Sequence, residues 1–119
     1  MLATRVSGGG KETLELVSLA ASLPDRLDAY HDLLVVRAQA FLDARRATVD
    51  TWDEFVSGVA DGWADALHCG RPDCEDDIKA ETGATPRCIP SAGAAETGLC
   101  VRCNAPSAWG GRVLFAKAY

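Results

Sequence analysis

The sequence predicts an α+β fold in which a hairpin and a helical linker precede a small mixed α/β domain built around paired cysteines. Two apolar-alternating stretches flank a run of glycines near the start, apolar residues then recur at helical spacing, and four cysteines form two close pairs in the second half. A chain of 119 residues with 48% apolar composition is long enough for one modest domain, or for slightly more than one.

The hairpin is predicted at the start of the chain. Leu2–Val6 and Thr13–Val17 have an alternating apolar pattern, and Ser7–Gly10 between them can adopt almost any turn. The adjacent glycines do not form a phosphate-binding loop, because neither G-x-x-x-x-G-K-[ST] nor G-x-G-x-x-G is present. Since two strands alone are marginally stable, we expect this hairpin to be the end of a larger sheet.

Two helices are predicted next. The first runs from Pro24 to Arg46 with Ser22 as its cap, and its apolar residues recur at steps of three and four. The residues expected to form its buried stripe are Leu27, Tyr30, Leu34, Ala38 and Phe41. The second helix covers Trp52–Ala60, because Thr51 and Glu54 form a capping box, and Trp52 is expected to pack beneath the first helix.

Short elements are predicted around the cysteines. Trp63–Leu67 predicts a strand, Asp73–Gly83 predicts a helix with Asp73 as N-cap and Gly83 as stop, and Arg112–Tyr119 predicts a terminal strand. Because chain ends usually fray unless they are docked, a strand that runs to Tyr119 indicates that this residue and its carboxylate have a defined place.

The four paired cysteines predict one zinc site. Cys69 and Cys74 are separated by four residues, Cys100 and Cys103 by two, and 25 residues lie between the pairs. Two pairs at these distances can close a tetrahedral site of four thiolates. The residue after the last cysteine often needs a positive φ, and Asn104 tolerates that conformation better than most residues. Such a site is structural, because four protein ligands leave no position for a substrate.

Buried thiols and disulfides are the alternatives to a metal site. Disulfides need an oxidising compartment, and the first ten residues lack the apolar segment of a secretory signal, so we expect reduced thiols and a cytoplasmic protein. Cys88 has no near partner and is expected to be a small buried apolar residue. His68 could replace a cysteine, but neighbours in a strand point to opposite faces, so we expect it to support the site from outside.

The charge pattern excludes several classes of partner. Seventeen acidic and twelve basic side chains give a net charge of −5, and neither half of the chain is basic enough to neutralise several phosphates. We therefore expect no tight binding of nucleic acid by this chain alone. No apolar run approaches the length of a membrane span, so no membrane partner is expected.

Short blocks of residues follow one another in a recognisable order along nearly the whole chain. They are Lys11-Glu12-Thr13, Pro24, Phe41, Val49–Phe55, Gly62-Trp63-Ala64, His68-Cys69-Gly70, Cys74-Glu75-Asp76, Ile78-Lys79, Glu81–Thr85, Arg87–Pro90, Cys100-x-x-Cys103 and Phe115–Tyr119. Together they resemble the C-terminal end of the proline–tRNA ligases of the archaeal and eukaryotic-like type. These enzymes carry an additional zinc-binding domain after the anticodon-binding domain.

The resemblance implies a domain organisation and a set of partners. Residues 1–20 would be the end of an anticodon-binding domain, residues 21–62 a helical linker, and residues 63–119 a C-terminal zinc-binding domain. The partner of the chain would be the remainder of a proline–tRNA ligase, with its catalytic and anticodon-binding domains. ATP, magnesium and tRNA would be bound only by the intact enzyme.

The resemblance also implies roles for particular residues. Cys69, Cys74, Cys100 and Cys103 match the positions that hold a structural zinc ion in the family, and no residue of this chain would be catalytic. Tyr119 would lie near the active site of the intact enzyme. The sequence departs from the family after its last cysteine, where Asn104 stands in place of the usual glycine.

The leading interpretation is the C-terminal segment of a class II proline–tRNA ligase, with a structural role. The alternative is a free-standing zinc-binding module that binds another protein. A thiol redox protein that uses Cys100-x-x-Cys103 ranks last, because thioredoxin-like sites place this motif near a βαβ pattern, whereas Pro106 and a glycine pair follow it here.

We predict that the chain alone has no aminoacylation activity, because it contains neither the arginines that bind ATP in class II enzymes nor most of the anticodon-binding domain. Proline-dependent exchange of pyrophosphate with ATP should therefore stay at the rate of a blank without protein, beside an intact ligase as positive control. A proline-dependent rate above that blank would contradict the prediction.

Overall fold

The structure, a computed structural model, describes residues 13–91 and 95–118. The chain divides into two compact units, Met1–Leu42 and Asp43–Tyr119. The elements are α1 (Leu16–Asp43), β1 (Arg46–Thr48), α2 (Trp52–Asp61), β2 (Trp63–Ala66), α3 (Pro72–Thr82), β3 (Ala84–Cys88) and β4 (Val113–Lys117). Helices and one mixed sheet confirm the predicted α+β class. The domain boundaries predicted after residues 20 and 62 stay predictions.

Helix α1 takes the place of two predicted elements. The strand predicted over Thr13–Val17 is wrong, because the helix begins at Leu16; its predicted partner strand, Leu2–Val6, lies outside the described residues. The helix also ends at Asp43, and Pro24 stands inside it instead of in its first turn. Pro24 deprives the helix of one backbone N–H donor. The segment before it contains Leu and Ala, which favour helices. In a helix this segment makes its backbone hydrogen bonds internally, whereas a strand would need a partner strand.

The apolar stripe predicted along α1 is exposed. Leu27 is 59% exposed, Leu34 42% and Phe41 51%, and none of the described residues of the helix is buried. The expectation of a buried stripe is therefore wrong for the described chain. Helical spacing shows which residues share a side of a helix, but burial depends on a second surface that the spacing does not specify. No helix in the described ranges is both long and apolar enough to span a membrane.

A four-stranded sheet forms the centre of the second unit, in the order β1-β2-β4-β3. Strands β1 and β2 are parallel and α2 connects them, while β4 runs antiparallel to β2 and to β3. The two strands predicted around the cysteines, Trp63–Leu67 and Arg112–Tyr119, are confirmed as β2 and β4, which form the central pair of the sheet. The edge strands were not predicted, because β1 has three residues and β3 contains Pro86. Proline cannot donate to a neighbouring strand and is therefore confined to edges.

Helix α2 packs on this sheet through one side. The capping box is confirmed: Glu54 N–H donates to the Thr51 hydroxyl at 3.3 Å, and Thr51 N–H donates to the Glu54 carboxylate at 3.2 Å. Phe55 is fully buried and meets the ring of Phe115 in β4 edge to face, with 5.1 Å between ring centroids. Residues 43–62, which include the predicted second helix, thus contribute β1 and α2 to the core of the second unit.

Arg112 joins the segments around β4. Its guanidinium donates to the carbonyl of Val49 at 2.8 Å, to Asp50 at 2.6 Å and to both carboxylate oxygens of Glu96 at 2.7 Å. The hydrogen bonds from Arg112 hold the pKa of Glu96 below its usual range. The connection between β1 and α2 and the loop before β4 are therefore tied to the same side chain.

Two valines of α2 provide a matched test of this packing. Val59 is 1% exposed and Val56 is 40% exposed, so replacing each by alanine removes the same two methyl groups from different environments. We expect Val59→Ala to lower the free energy of unfolding by about 2 kcal/mol and Val56→Ala by less than about 0.5 kcal/mol. Urea denaturation followed by tryptophan fluorescence, at constant metal content, measures both. Equal losses would contradict the described orientation of α2.

Candidate metal centre

The four paired cysteines come together in the second unit. Cys69 follows β2, Cys74 lies in the first turn of α3, and Cys100 and Cys103 lie in the turn region before β4. The Sγ atoms of Cys74 and Cys100 are 3.7 Å apart, and those of Cys69 and Cys103 are 3.6 Å apart. Each contact joins one member of each sequence pair, so the two pairs face a common point.

These sulfur separations have the size that a tetrahedral metal site requires. With metal–sulfur bonds of about 2.3 Å, the edge of a four-thiolate tetrahedron is about 3.8 Å. The two measured separations, 3.7 and 3.6 Å, lie close to this edge. A disulfide needs a sulfur–sulfur distance of about 2.05 Å, and all five cysteines are free thiols. The donors therefore fit a metal ion that prefers soft ligands.

Backbone hydrogen bonds hold the turn that begins at Cys100. The N–H of Asn104 donates to the carbonyl of Cys100 at 3.0 Å, and the N–H of Cys100 donates to the carbonyl of Ala105 at 2.7 Å. Asn104 has a φ of 55°, which confirms the expectation of a left-handed residue after the last cysteine. The N–H of Val101 donates to Leu67 at 2.9 Å, which joins the turn to the end of β2.

Helix α3 carries Cys74 into the core, where its side chain is 3% exposed. The predicted N-cap is wrong by two residues: Arg71 occupies the cap position, Pro72 follows it, and Asp73 lies in the first turn. Proline suits this place because the first N–H groups of a helix have no carbonyl partner within the helix. The predicted stop is confirmed, since Gly83 ends the helix with a φ of 75°.

Arg71 contacts the thiols from the exposed side. Its Nε lies 3.5 Å from the Cys69 sulfur, and its interactions with Cys69 and Cys103 raise the pKa of Arg71. A cation at this place stabilises negative charge on sulfur. Sequence reasoning did not identify Arg71, although its place between two ligands was a signal for it.

The thiols differ in how readily they lose a proton. Burial raises the pKa of Cys74 and of Cys100, because a thiolate in apolar surroundings loses its hydration. Desolvation also acts against the ionisation of Cys103, but the N–H of Ala105 and the guanidinium of Arg71 outweigh it and lower the pKa of Cys103 to about 6. Cys103 therefore ionises before Cys74 and Cys100.

His68 lies beside the thiols. Its ring and the sulfurs of Cys69, Cys74 and Cys100 form a second donor set, whose ligand atoms all lie within 4.8 Å of one another. The N–H of Gly70 donates to His68 Nδ1 at 3.1 Å, which leaves the ring proton on Nε2. That buried Nε2 has no hydrogen-bond partner among the described residues. Burial lowers the pKa of His68, so the ring is neutral at pH 7.

Two further predictions fall outside this cluster. Cys88 is exposed at the end of β3, so the expectation that it is buried is wrong. The reason is that β3 is an edge strand whose register is disturbed between Pro86 and Cys88. Tyr119 lies outside the described residues, and its place near an active site stays a prediction.

Most of the second unit matches a known protein family. Residues 52–119 match the family model described as "Prolyl-tRNA synthetase, C-terminal". The chain belongs to this family. The match covers α2, the whole of β2 to β4 and the four paired cysteines, which are the parts that form the cluster and its core.

Curated relatives extend the similarity to the whole chain. The proline–tRNA ligase of Mycobacterium leprae (strain TN) is 47% identical over all of this chain, which covers 25% of that protein. That of Deinococcus radiodurans is 45% identical over 92% of the chain, which covers 23% of that protein. The chain thus spans about a quarter of the length of these relatives.

A solved structure supports the fold. The prolyl-tRNA synthetase of Cryptosporidium parvum complexed with L-proline and AMP superposes with a TM-score of 0.80 at 22% sequence identity. The superposition covers 92% of this chain and 24% of that one. At this identity the likeness establishes the architecture of the chain.

One more arginine lies in the turn between two of the thiols. Arg102 is 4.6 Å from the centroid of the Trp52 ring and forms a 2.8 Å ion pair with Glu81. Trp52 Nε1 also donates to Glu81, at 3.0 Å. The triangle ties the turn to α2 and α3. Trp52 also stacks on Phe55 within the second unit. The expectation that it packs beneath the first helix stays a prediction.

We predict that the thiols react in a fixed order once any bound metal has been removed with a chelator and the cysteines have been reduced. Iodoacetamide attacks thiolates, so Cys103 should gain reactivity as the pH rises through about 6, its own pKa, while Cys74 and Cys100 stay slow because burial raises their pKa. Peptide mass mapping after brief alkylation between pH 5 and 9 measures each thiol.

Arg71→Gln should move the Cys103 profile to higher pH, and the exposed Cys88 serves as the internal control that this substitution leaves unchanged. A Cys103 profile that Arg71→Gln does not move would contradict the stabilising role of the guanidinium.

Proposed function

We propose that this chain is the C-terminal structural domain of a proline–tRNA ligase and that one zinc ion, held by Cys69, Cys74, Cys100 and Cys103, stabilises it. The observation that carries the proposal is the approach of sulfurs from both cysteine pairs, at 3.7 and 3.6 Å, inside a chain of this family. Zinc is the metal that four cysteines most often hold in a structural site.

The proposed zinc ion has a folding role. Four protein ligands leave no open position, so no substrate would be activated at the metal. Structural zinc can contribute roughly 10–16 kcal/mol of apparent binding free energy in small peptides at pH 7. Because three of the four thiols belong to the hydrophobic core, the zinc bonds would fix the core and both loops that enter it.

The proposed partner is the remainder of the ligase. The chain spans 25% of the Mycobacterium leprae relative, and the apolar side of α1 is exposed, as expected of a segment that other domains cover. The ATP-dependent attachment of proline to tRNA would be the activity of the intact cytoplasmic enzyme, which would bind ATP, magnesium and tRNA through its other domains. This chain would brace that assembly.

The two alternative functions have less support. A free-standing zinc module does not explain why the similarity to ligases extends over the whole chain. A redox protein that cycles Cys100 with Cys103 does not explain why the sulfur contacts join each of these thiols to the other pair.

The zinc content of the reduced chain tests the proposal. We expect one zinc ion per chain by elemental mass spectrometry, a loss of that ion in Cys74→Ser, and a marked fall in the unfolding temperature after chelation. Cys88→Ser is the matched control, because it removes an exposed thiol outside the cluster and should keep one zinc ion. Wild-type chain without zinc, or equal zinc loss in both variants, would refute the proposed site.

A further inference from the structure

We infer that His68 is a reserve ligand, which completes the metal site together with Cys69, Cys74 and Cys100 when the Cys103 thiol is blocked or removed. The inference rests on the proposed zinc site and adds a fifth donor to it. It gives a metal-binding role to Nδ1 of His68, a buried histidine that the four-thiolate site does not use.

Two donor sets overlap around one point. The first set contains the four cysteines. The second contains His68 and three of the same thiols, and the ligand atoms of this second set all lie within 4.8 Å of one another. The shared thiols are Cys69, Cys74 and Cys100, which are buried and packed in the core. The two sets therefore differ in one corner, which is either Cys103 or His68.

The two candidates for that corner differ in accessibility. Cys103 is partly exposed and contacts Cys69 from the side on which the exposed Arg71 lies. His68 is 2% exposed and is held edge to face against Phe115, with 5.5 Å between ring centroids. A reagent from solvent would thus reach the Cys103 corner and leave the His68 corner intact.

The chemistry of the His68 ring suits a ligand. Nδ1 carries no proton, since it accepts the N–H of Gly70, and a histidine binds a metal through such a nitrogen while the other nitrogen keeps its proton. Three cysteines and one histidine are an established zinc donor set. The hydrogen bond from Gly70 competes with metal binding, and a thiolate anion attracts a dication more strongly than a neutral ring does. Cys103 is therefore the preferred fourth ligand while it is available.

A double-mutant cycle on the 119-residue chain tests the inference. The variants are Cys103→Ala, His68→Gln and the double variant, and a chromophoric chelator in competition measures the zinc affinity of each. We expect His68→Gln to bind zinc within about threefold of wild type and Cys103→Ala to bind about 10 to 100 times more weakly. The double variant should bind at least about tenfold more weakly again, a size typical of losing a group that supports a metal.

A second measurement leaves His68 in place. In Cys103→Ala labelled with 15N-histidine, zinc should shift the His68 Nδ1 resonance, whereas wild type should show no such shift. The other histidine, His31, is exposed in α1 outside the cluster and serves as the internal reference. This readout decides the question if the His68 variants do not fold. An unshifted resonance in Cys103→Ala, or a double variant that binds zinc as well as Cys103→Ala does, overturns the inference.

The failures of the two proposals are distinguishable. If wild type binds zinc but neither the zinc affinities nor the His68 Nδ1 resonance show an effect of His68, only the reserve-ligand inference fails. Wild type that binds no zinc defeats both the proposed site and the reserve ligand.

Discussion

Three buried thiols are shared between the cysteine cluster and the hydrophobic core, and the second unit depends on this sharing. Cys69, Cys74 and Cys100 pack in one cluster with Phe55 and Phe115, which come from α2 and β4. A unit of this size buries limited apolar surface, and small domains commonly need a metal or disulfides in addition. The position of the thiols therefore affects the stability of the whole unit, because separating them would open the core.

Irregular backbone carries three of the four paired thiols, and charged side chains hold part of that backbone in place. The turn that begins at Cys100 lies in the long connection between β3 and β4. Arg112 fixes the end of this connection through Glu96 and Val49, and Arg102 fixes the turn itself through Glu81. These contacts to α3 and to the end of β1 hold the connection where its two thiols meet those of Cys69 and Cys74.

The first unit contrasts with the second in how it uses its apolar residues. The described part of α1 exposes residues such as Leu27 and Phe41, while nearly all of the buried apolar residues in the described ranges belong to the second unit. The apolar composition of the chain is ordinary, but its buried apolar residues are unevenly divided between the two units. The exposed apolar residues of α1 are in keeping with the proposal that the remainder of a ligase packs against this helix.

The sequence by itself determined the features that depend on neighbouring residues. The capping box of Thr51 and Glu54, the stop at Gly83, the left-handed Asn104 and the strand character of β2 and β4 follow from residue types at short spacing, and so does the grouping of the cysteines into pairs. Order among several short blocks also sufficed to recognise the family. Each of these signals is local, so each could be read along the chain.

Only the tertiary structure decided the features that depend on distant contacts. It placed β1 and β3 at the sheet edges, left Cys88 exposed, and extended α1 over the predicted hairpin strand. It also brought His68 to the thiols, because β2 ends at Ala66 and strand alternation no longer separates His68 from Cys69. The physical reason is common to these cases: burial and pairing depend on surfaces that are remote in sequence, and local patterns do not specify them.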